Sequence, residues 1–204
     1  MSLPGNTLSD PAEISEFLLP DSTTRPSRIV DYERGGADLY DPAQGINLRN
    51  WKAEVIGDNI IISPLDDPGD TTNFLTVVGL LSISLAFDQN MNPMIAYEVG
   101  GNTYLYWFDL TPNAYTTYAL PAGCRSPALT MDDKRRNATL LNRSDALLFY
   151  LRDEFVCYRQ QRERFLTERV LATLIGSNAR IKKVGMNHGL RVQLEITGPS
   201  AKLA

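Results

Sequence analysis

The chain has 204 residues, apolar and charged fractions of 43% and 22%, and a net charge of −4. That length is one domain, or a domain with arms, and its core can bury roughly 70% of the unfolded surface without disulfides or metals. The negative balance excludes broad binding to nucleic acid or anionic membrane, because phosphate contacts need clustered Lys and Arg. No apolar run reaches the ~20 residues of a membrane span. The opening Met1-Ser2-Leu3-Pro4-Gly5-Asn6 lacks the basic-then-apolar pattern of a secretory leader.

Residues 1–50 read as an irregular N-terminal arm. Pro4, Pro11, Pro20, Pro26 and Pro42 recur with Gly5, Gly35, Gly36 and Gly45 between them, and proline interrupts long regular elements. One helical window runs from Ser9 to Leu19. Ser9 or Asp10 can cap it, Pro11 suits its first turn, and Ile14, Phe17 and Leu18 fall on one face. It is too short to stand alone. A loose arm and an arm docked on a neighbouring subunit both remain open, and in the second case Ile14, Phe17 and Leu18 are its contacts. Leu39-Tyr40-Asp41-Pro42-Ala43-Gln44-Gly45-Ile46 is a turn-rich lead-in.

A β domain is expected over 51–196. Trp51-Lys52-Ala53-Glu54-Val55-Ile56 alternates, Gly57-Asp58-Asn59 turns, and Ile60-Ile61-Ile62 returns as a hairpin. A polar loop follows over 64–72, where Asp66-Asp67 reads as a solvated turn. A pattern is then stated twice, over 83–120 and 128–171. Leu85-Ala86-Phe87-Asp88 matches Leu129-Thr130-Met131-Asp132. Met94-Ile95-Ala96-Tyr97 matches Leu147-Leu148-Phe149-Tyr150. Tyr104-Leu105-Tyr106-Trp107 matches Phe155-Val156-Cys157-Tyr158. Gly100-Gly101-Asn102 and Arg152-Asp153-Glu154 are the central turns. A charged connection spans 132–145.

Side chains alternate along a strand, so Tyr104 and Tyr106 face one way and Leu105 and Trp107 the other. Leu147 and Phe149 likewise oppose Ala146, Leu148 and Tyr150. Apolar residues on both faces require a sheet covered on both sides. The fold class is therefore mainly β, with antiparallel hairpin units resembling propeller blades or a β-sandwich. Two units and a leading hairpin are too few to close a ring, so another subunit is expected to supply part of the cover. Residues 158–171 are open between a helix and a strand–turn–strand path. The repeat favours the second, with a turn near 161–163 and a strand from Arg164. A last hairpin is expected from Ile181-Lys182-Lys183-Val184 and Leu190-Arg191-Val192-Gln193-Leu194-Glu195-Ile196, and 197–204 form a tail.

No constellation of catalytic residues stands out, and no enzymatic activity and no cofactor are expected. The single histidine, His188, sits in a glycine-flanked turn, where a triad partner is not evident. Two scattered cysteines and one histidine lack zinc spacing. Cys124 and Cys157 read as reduced core residues, with a disulfide as the alternative. Asp88-Gln89-Asn90-Met91-Asn92-Pro93 begins like a calcium loop but has Pro93 where glycine is needed and Val99 where a bidentate Glu belongs. A turn closed by Asx side chains fits better. The arginines Arg159, Arg162, Arg164 and Arg169 are diluted by Gln160, Gln161 and Glu163. They read as a solvated face or a subunit-interface array of ion pairs, in preference to a contact with nucleic acid or a carboxylate-bearing partner.

Several segments together resemble a family of tailed-bacteriophage virion proteins. They are Leu39-Tyr40-Asp41-Pro42-Ala43-Gln44-Gly45, Leu85-Ala86-Phe87-Asp88-Gln89-Asn90, Tyr104-Leu105-Tyr106-Trp107-Phe108-Asp109, Leu129-Thr130-Met131-Asp132-Asp133-Lys134-Arg135 and Tyr158-Arg159-Gln160-Gln161-Arg162-Glu163-Arg164-Phe165. The resemblance implies a β-rich structural subunit of the tail, neck or fibre-attachment region. It would be assembled in many copies in the host cytoplasm, and its partners would be copies of itself and other virion proteins. It implies no catalytic residue, and the charge balance and the lack of a long apolar run leave no nucleic-acid contact or membrane insertion expected. The alternative is a carbohydrate- or receptor-binding tail module that engages a host surface glycan through exposed aromatics such as Tyr115 and Tyr118.

Overall fold

The computed structural model describes residues 30–35, 49–88, 90, 92–132, 145–173, 179–186 and 192–197. The strands are β1 (Val30–Gly35), β2 (Arg49–Ile56), β3 (Asn59–Pro64), β4 (Thr72–Thr76), β5 (Leu80–Phe87), β6 (Pro93–Val99) and β7 (Asn102–Asp109). They continue as β8 (Ala114–Ala119), β9 (Cys124–Asp132), β10 (Asp145–Arg152), β11 (Phe155–Gln160), β12 (Arg169–Thr173), β13 (Arg180–Met186) and β14 (Val192–Thr197). Among the described residues there is no α-helix, only a 3-10 turn at Gln161–Glu163.

Each strand pairs antiparallel with the next inside its sheet, giving β1-β2-β3-β4, β5-β6-β7-β8, β9-β10-β11-β12 and the pair β13-β14. The first strand of every sheet packs on the first strand of the next. The four sheets therefore stand as successive blades of a propeller-like arrangement. The two expected units are the second and third blades, over 80–119 and 124–173. Gly100 and Gly101, at φ 56° and 76°, make the tight turn between β6 and β7. Residues 158–171 follow the strand–turn–strand path, but β12 starts at Arg169 and not at Arg164.

The β structure begins earlier than the proline pattern implies, because β1 lies inside the expected arm. Its Val30-Asp31-Tyr32-Glu33-Arg34-Gly35 carries three charged residues in six, so it does not read as an inner strand. Long-range bonds explain the inward Asp31. The Asp31 carboxylate accepts the Ser84 hydroxyl at 2.9 Å and the Leu85 N–H at 2.8 Å. Ser84 Oγ in turn accepts the Leu129 N–H at 2.9 Å. Ser126 Oγ accepts the Ile181 N–H at 2.8 Å and donates to the Ile181 carbonyl. Side chains thus tie β1 to β5, β5 to β9 and β9 to β13.

Three cores lie between successive blades. Ala53, Ile60 and Ile62 of the first blade meet Ile83, Leu85, Phe87, Ile95 and Tyr97 of the second. The opposite face of the second blade, with Ala86, Met94, Ala96, Leu105 and Trp107, meets Leu129, Leu148, Tyr150 and Cys157 of the third. The third blade's other face, with Leu147, Phe149, Leu151 and Val156, meets Ala179, Ile181 and Val184 of the last. The two-faced strands are therefore covered by neighbouring blades of the same chain, and the expected help from another subunit is not needed for them. The outward faces of the terminal blades are mostly polar, with Ile56 and Ile61 beside the charged residues of the first. Lys52 pairs with Glu54 on the first, and Lys182 with Glu195 on the last. Among the described residues β13 and β1 make no packing comparable to the three internal joints. Polar outer faces are what terminal repeats of a stacked array require.

Candidate functional site

Among the described residues, the segment joining β11 to β12 builds the most elaborate polar structure. Arg159, on β11, is 5% exposed. Its Nε donates to Tyr150 Oη at 2.7 Å, and its Nη1 to Tyr118 Oη at 3.0 Å, the Phe165 carbonyl at 2.8 Å and the Leu166 carbonyl at 3.0 Å. Tyr150 Oη donates to Glu168 Oε2 at 2.6 Å, and Arg152 pairs with the other carboxylate oxygen. A buried guanidinium is tolerable only when its donors are used and a counter-charge stands near, and both conditions hold here. Burial, then the bond to Glu168, raises the Tyr150 phenol above its ordinary 10.0, so it stays a donor.

Arg159 is thus not the outward contact expected of it. Its side chain falls on the same sheet face as Tyr150 and Cys157 and ties the third blade to the second. The other three arginines do face outward, each in an ion pair. Arg162 pairs with Asp145, Arg164 with Asp109 and Arg169 with Glu163. The first two carboxylate side chains are only 5% and 8% exposed while the arginine side chains paired with them are 58% and 51% exposed, so the loop presents its arginines to solvent. Burial alone would raise the Asp109 carboxyl. The Thr111 N–H and Arg164 outweigh it and hold the group below its ordinary 3.8. The stability these bonds give is present above pH 3.8 and lost as pH falls below it. Ile14, Phe17, Leu18 and His188 lie outside the described residues.

The loop's backbone is held in a rare conformation. Arg164 and Phe165 both have positive φ, 53° and 56°. Phe165 is fully buried and meets Trp107 edge-on at 5.2 Å. Leu166 then emerges exposed. Between this loop and the second blade runs an open groove of about 510 Å³. Trp107 and Thr116, cross-strand partners on β7 and β8, form its floor. Tyr118, Asp109, Arg164 and Leu166 line its sides.

Tyr115 and Tyr118, paired in the sequence reading, are separated. Tyr118 faces the groove side, whereas Tyr115 turns to the opposite face against Phe74, Tyr106 and Phe108. Asp88 accepts the Asn90 and Asn92 N–H groups at 2.8 and 2.9 Å, which is the Asx-closed turn. Cys124 and Cys157 are free thiols, buried in the core between the second and third blades. Among the described residues no group of His, Cys, Asp and Glu is placed to hold a metal.

The sequence reading missed Asp31, Ser84 and Ser126. Aligning the two units at Ser82-Ile83-Ser84-Leu85 and Ser126-Pro127-Ala128-Leu129 matches Ser126 with Ser82 and places Ala128 opposite Ser84, so the repeat carries no local signal for Ser84 or Asp31. No protein-family model, curated protein or solved structure matches the chain.

Proposed function

We propose that the chain is a non-enzymatic structural subunit of a tailed-bacteriophage virion, placed in the tail, neck or fibre-attachment region, and that it acts through contacts with copies of itself and other virion proteins. The reading rests on the motif resemblance, and one structural observation supports contact as the mode of action. The edge strand β12 carries Val170 and Leu171 side by side, 56% and 52% exposed. An apolar edge strand that, among the described residues, has no neighbour is a template for association. Arg169 opens the strand in an ion pair with Glu163, and the Arg162 side chain of the preceding turn is 58% exposed.

Light scattering on the purified chain, alone and mixed with candidate virion proteins, tests the reading. Assembly is expected, and the pair Val170→Lys and Leu171→Lys should abolish it without lowering the melting temperature. A stable monomer that binds no other virion protein would defeat the proposal.

A further inference from the structure

We infer that the groove between the second and third blades binds a neutral, hydroxyl-rich ligand, that is, a carbohydrate. Its volume of about 510 Å³ lies within the roughly 300–1,000 Å³ of small-ligand sites. The lining sets the ligand class. Tyr118 and Leu166 supply apolar surface over the buried Trp107, and Thr111 and Thr116 supply hydroxyls that both donate and accept. The Asp109–Arg164 pair adds acceptors and donors while cancelling its own charge. A sugar ring offers the matching set: a C–H face and hydroxyls that donate and accept. A cationic ligand would meet the half-exposed Arg164, and an anionic one would have to displace the buried Asp109 from it.

A second observation concerns the loop that walls the groove. Glycine is the residue that takes successive left-handed positions without strain. Arg and Phe stand there instead, at 164 and 165. The side chains explain the choice, since Phe165 anchors on Trp107 and Arg164 reaches Asp109 at the groove's edge. Arg159 pins the carbonyls of Phe165 and Leu166 from beneath. Backbone strain held in place by surrounding bonds is a mark of a pre-shaped binding wall. The groove thus has its form before a ligand arrives.

The inference stands apart from the assembly reading, because the groove and β12 use different surfaces. The full chain is applied to a printed oligosaccharide array, and the strongest hit is titrated as free oligosaccharide by calorimetry. Thr116→Arg should plug the floor and weaken binding by at least about tenfold, with the melting temperature kept. Pro112→Trp, on the exposed turn at the rim, provides a second plug if Thr116→Arg fails to fold. Tyr118→Phe keeps the ring and should keep most of the affinity. Retention of no oligosaccharide, or equal binding by both plugged variants, would overturn the inference. So would a displayed peptide that binds and is lost in the plugged variants while no sugar binds.

Discussion

Asp31 and Ser82 make a matched pair of tests for what joins the blades. Asp31→Ala strips the acceptor from the Ser84 hydroxyl and the Leu85 N–H, and two orphaned donors should cost about 1–3 kcal/mol. Ser82 Oγ is buried without a partner. Its position explains why. Glu98, cross-strand from Ser82, reaches the Ser126 N–H, while Ser84 reaches the Leu129 N–H. Ser82 is therefore level with Pro127, whose nitrogen carries no hydrogen. Ser82→Ala should leave stability within about 0.5 kcal/mol of the parent. Urea unfolding measures both, and an Asp31→Ala chain as stable as the parent would mean that apolar packing alone holds the joint. The cysteines carry a pH prediction. Burial first, then the Glu168 carboxylate, pushes both thiols from 9.0 up to about 11. The folded chain keeps protons that the unfolded chain releases, so this contribution is complete below pH 9 and lost as pH rises toward 11. Thiol reagent at pH 8 should label neither cysteine until the chain unfolds, and rapid labelling of the native protein would contradict their burial.

At the scale of elements, the β11–β12 connection sets strain against packing. Replacing Phe165 by Gly relieves a left-handed side chain, a gain of about 1–3 kcal/mol. It also empties a fully buried site beside Trp107, a loss of about 3–5 kcal/mol. The net effect should be destabilising. Arg164→Gly gains the same relief and gives up only a half-exposed ion pair with Asp109, so its net effect should be stabilising or close to zero. Chemical denaturation of the two variants separates the terms. If both lost equally, the loop's shape would depend on the ion pair and not on the Phe165 anchor.

At the scale of the molecule, a blade is stable because its neighbours cover it. The middle blades are apolar on both faces and the terminal ones on one face only. A chain ending at Thr173 would lose β13 and β14 and expose Phe149, Leu151 and Val156. It should bind a hydrophobic dye and self-associate on gel filtration. A monomeric, dye-silent 1–173 would show that the last hairpin is an appendage and not the cover of the third blade.

The hairpins, their turns and the two repeated units were legible in the order of residues, because alternation and glycine turns act between near neighbours. The opposed faces of Tyr104-Leu105-Tyr106-Trp107 and of 146–150 were legible for the same reason. Which surface covers each face was not, since that depends on segments tens of residues away. The polar strand β1 gave no local signal, because its Asp31 finds its partners on β5. Arg159 looked like one of four surface arginines, and only folding showed it enclosed by Tyr118, Tyr150 and the loop carbonyls. Charge type is written in the sequence; whether a charge meets water or a buried partner is decided when the blades close on each other, because desolvation and pairing are properties of the packed neighbours.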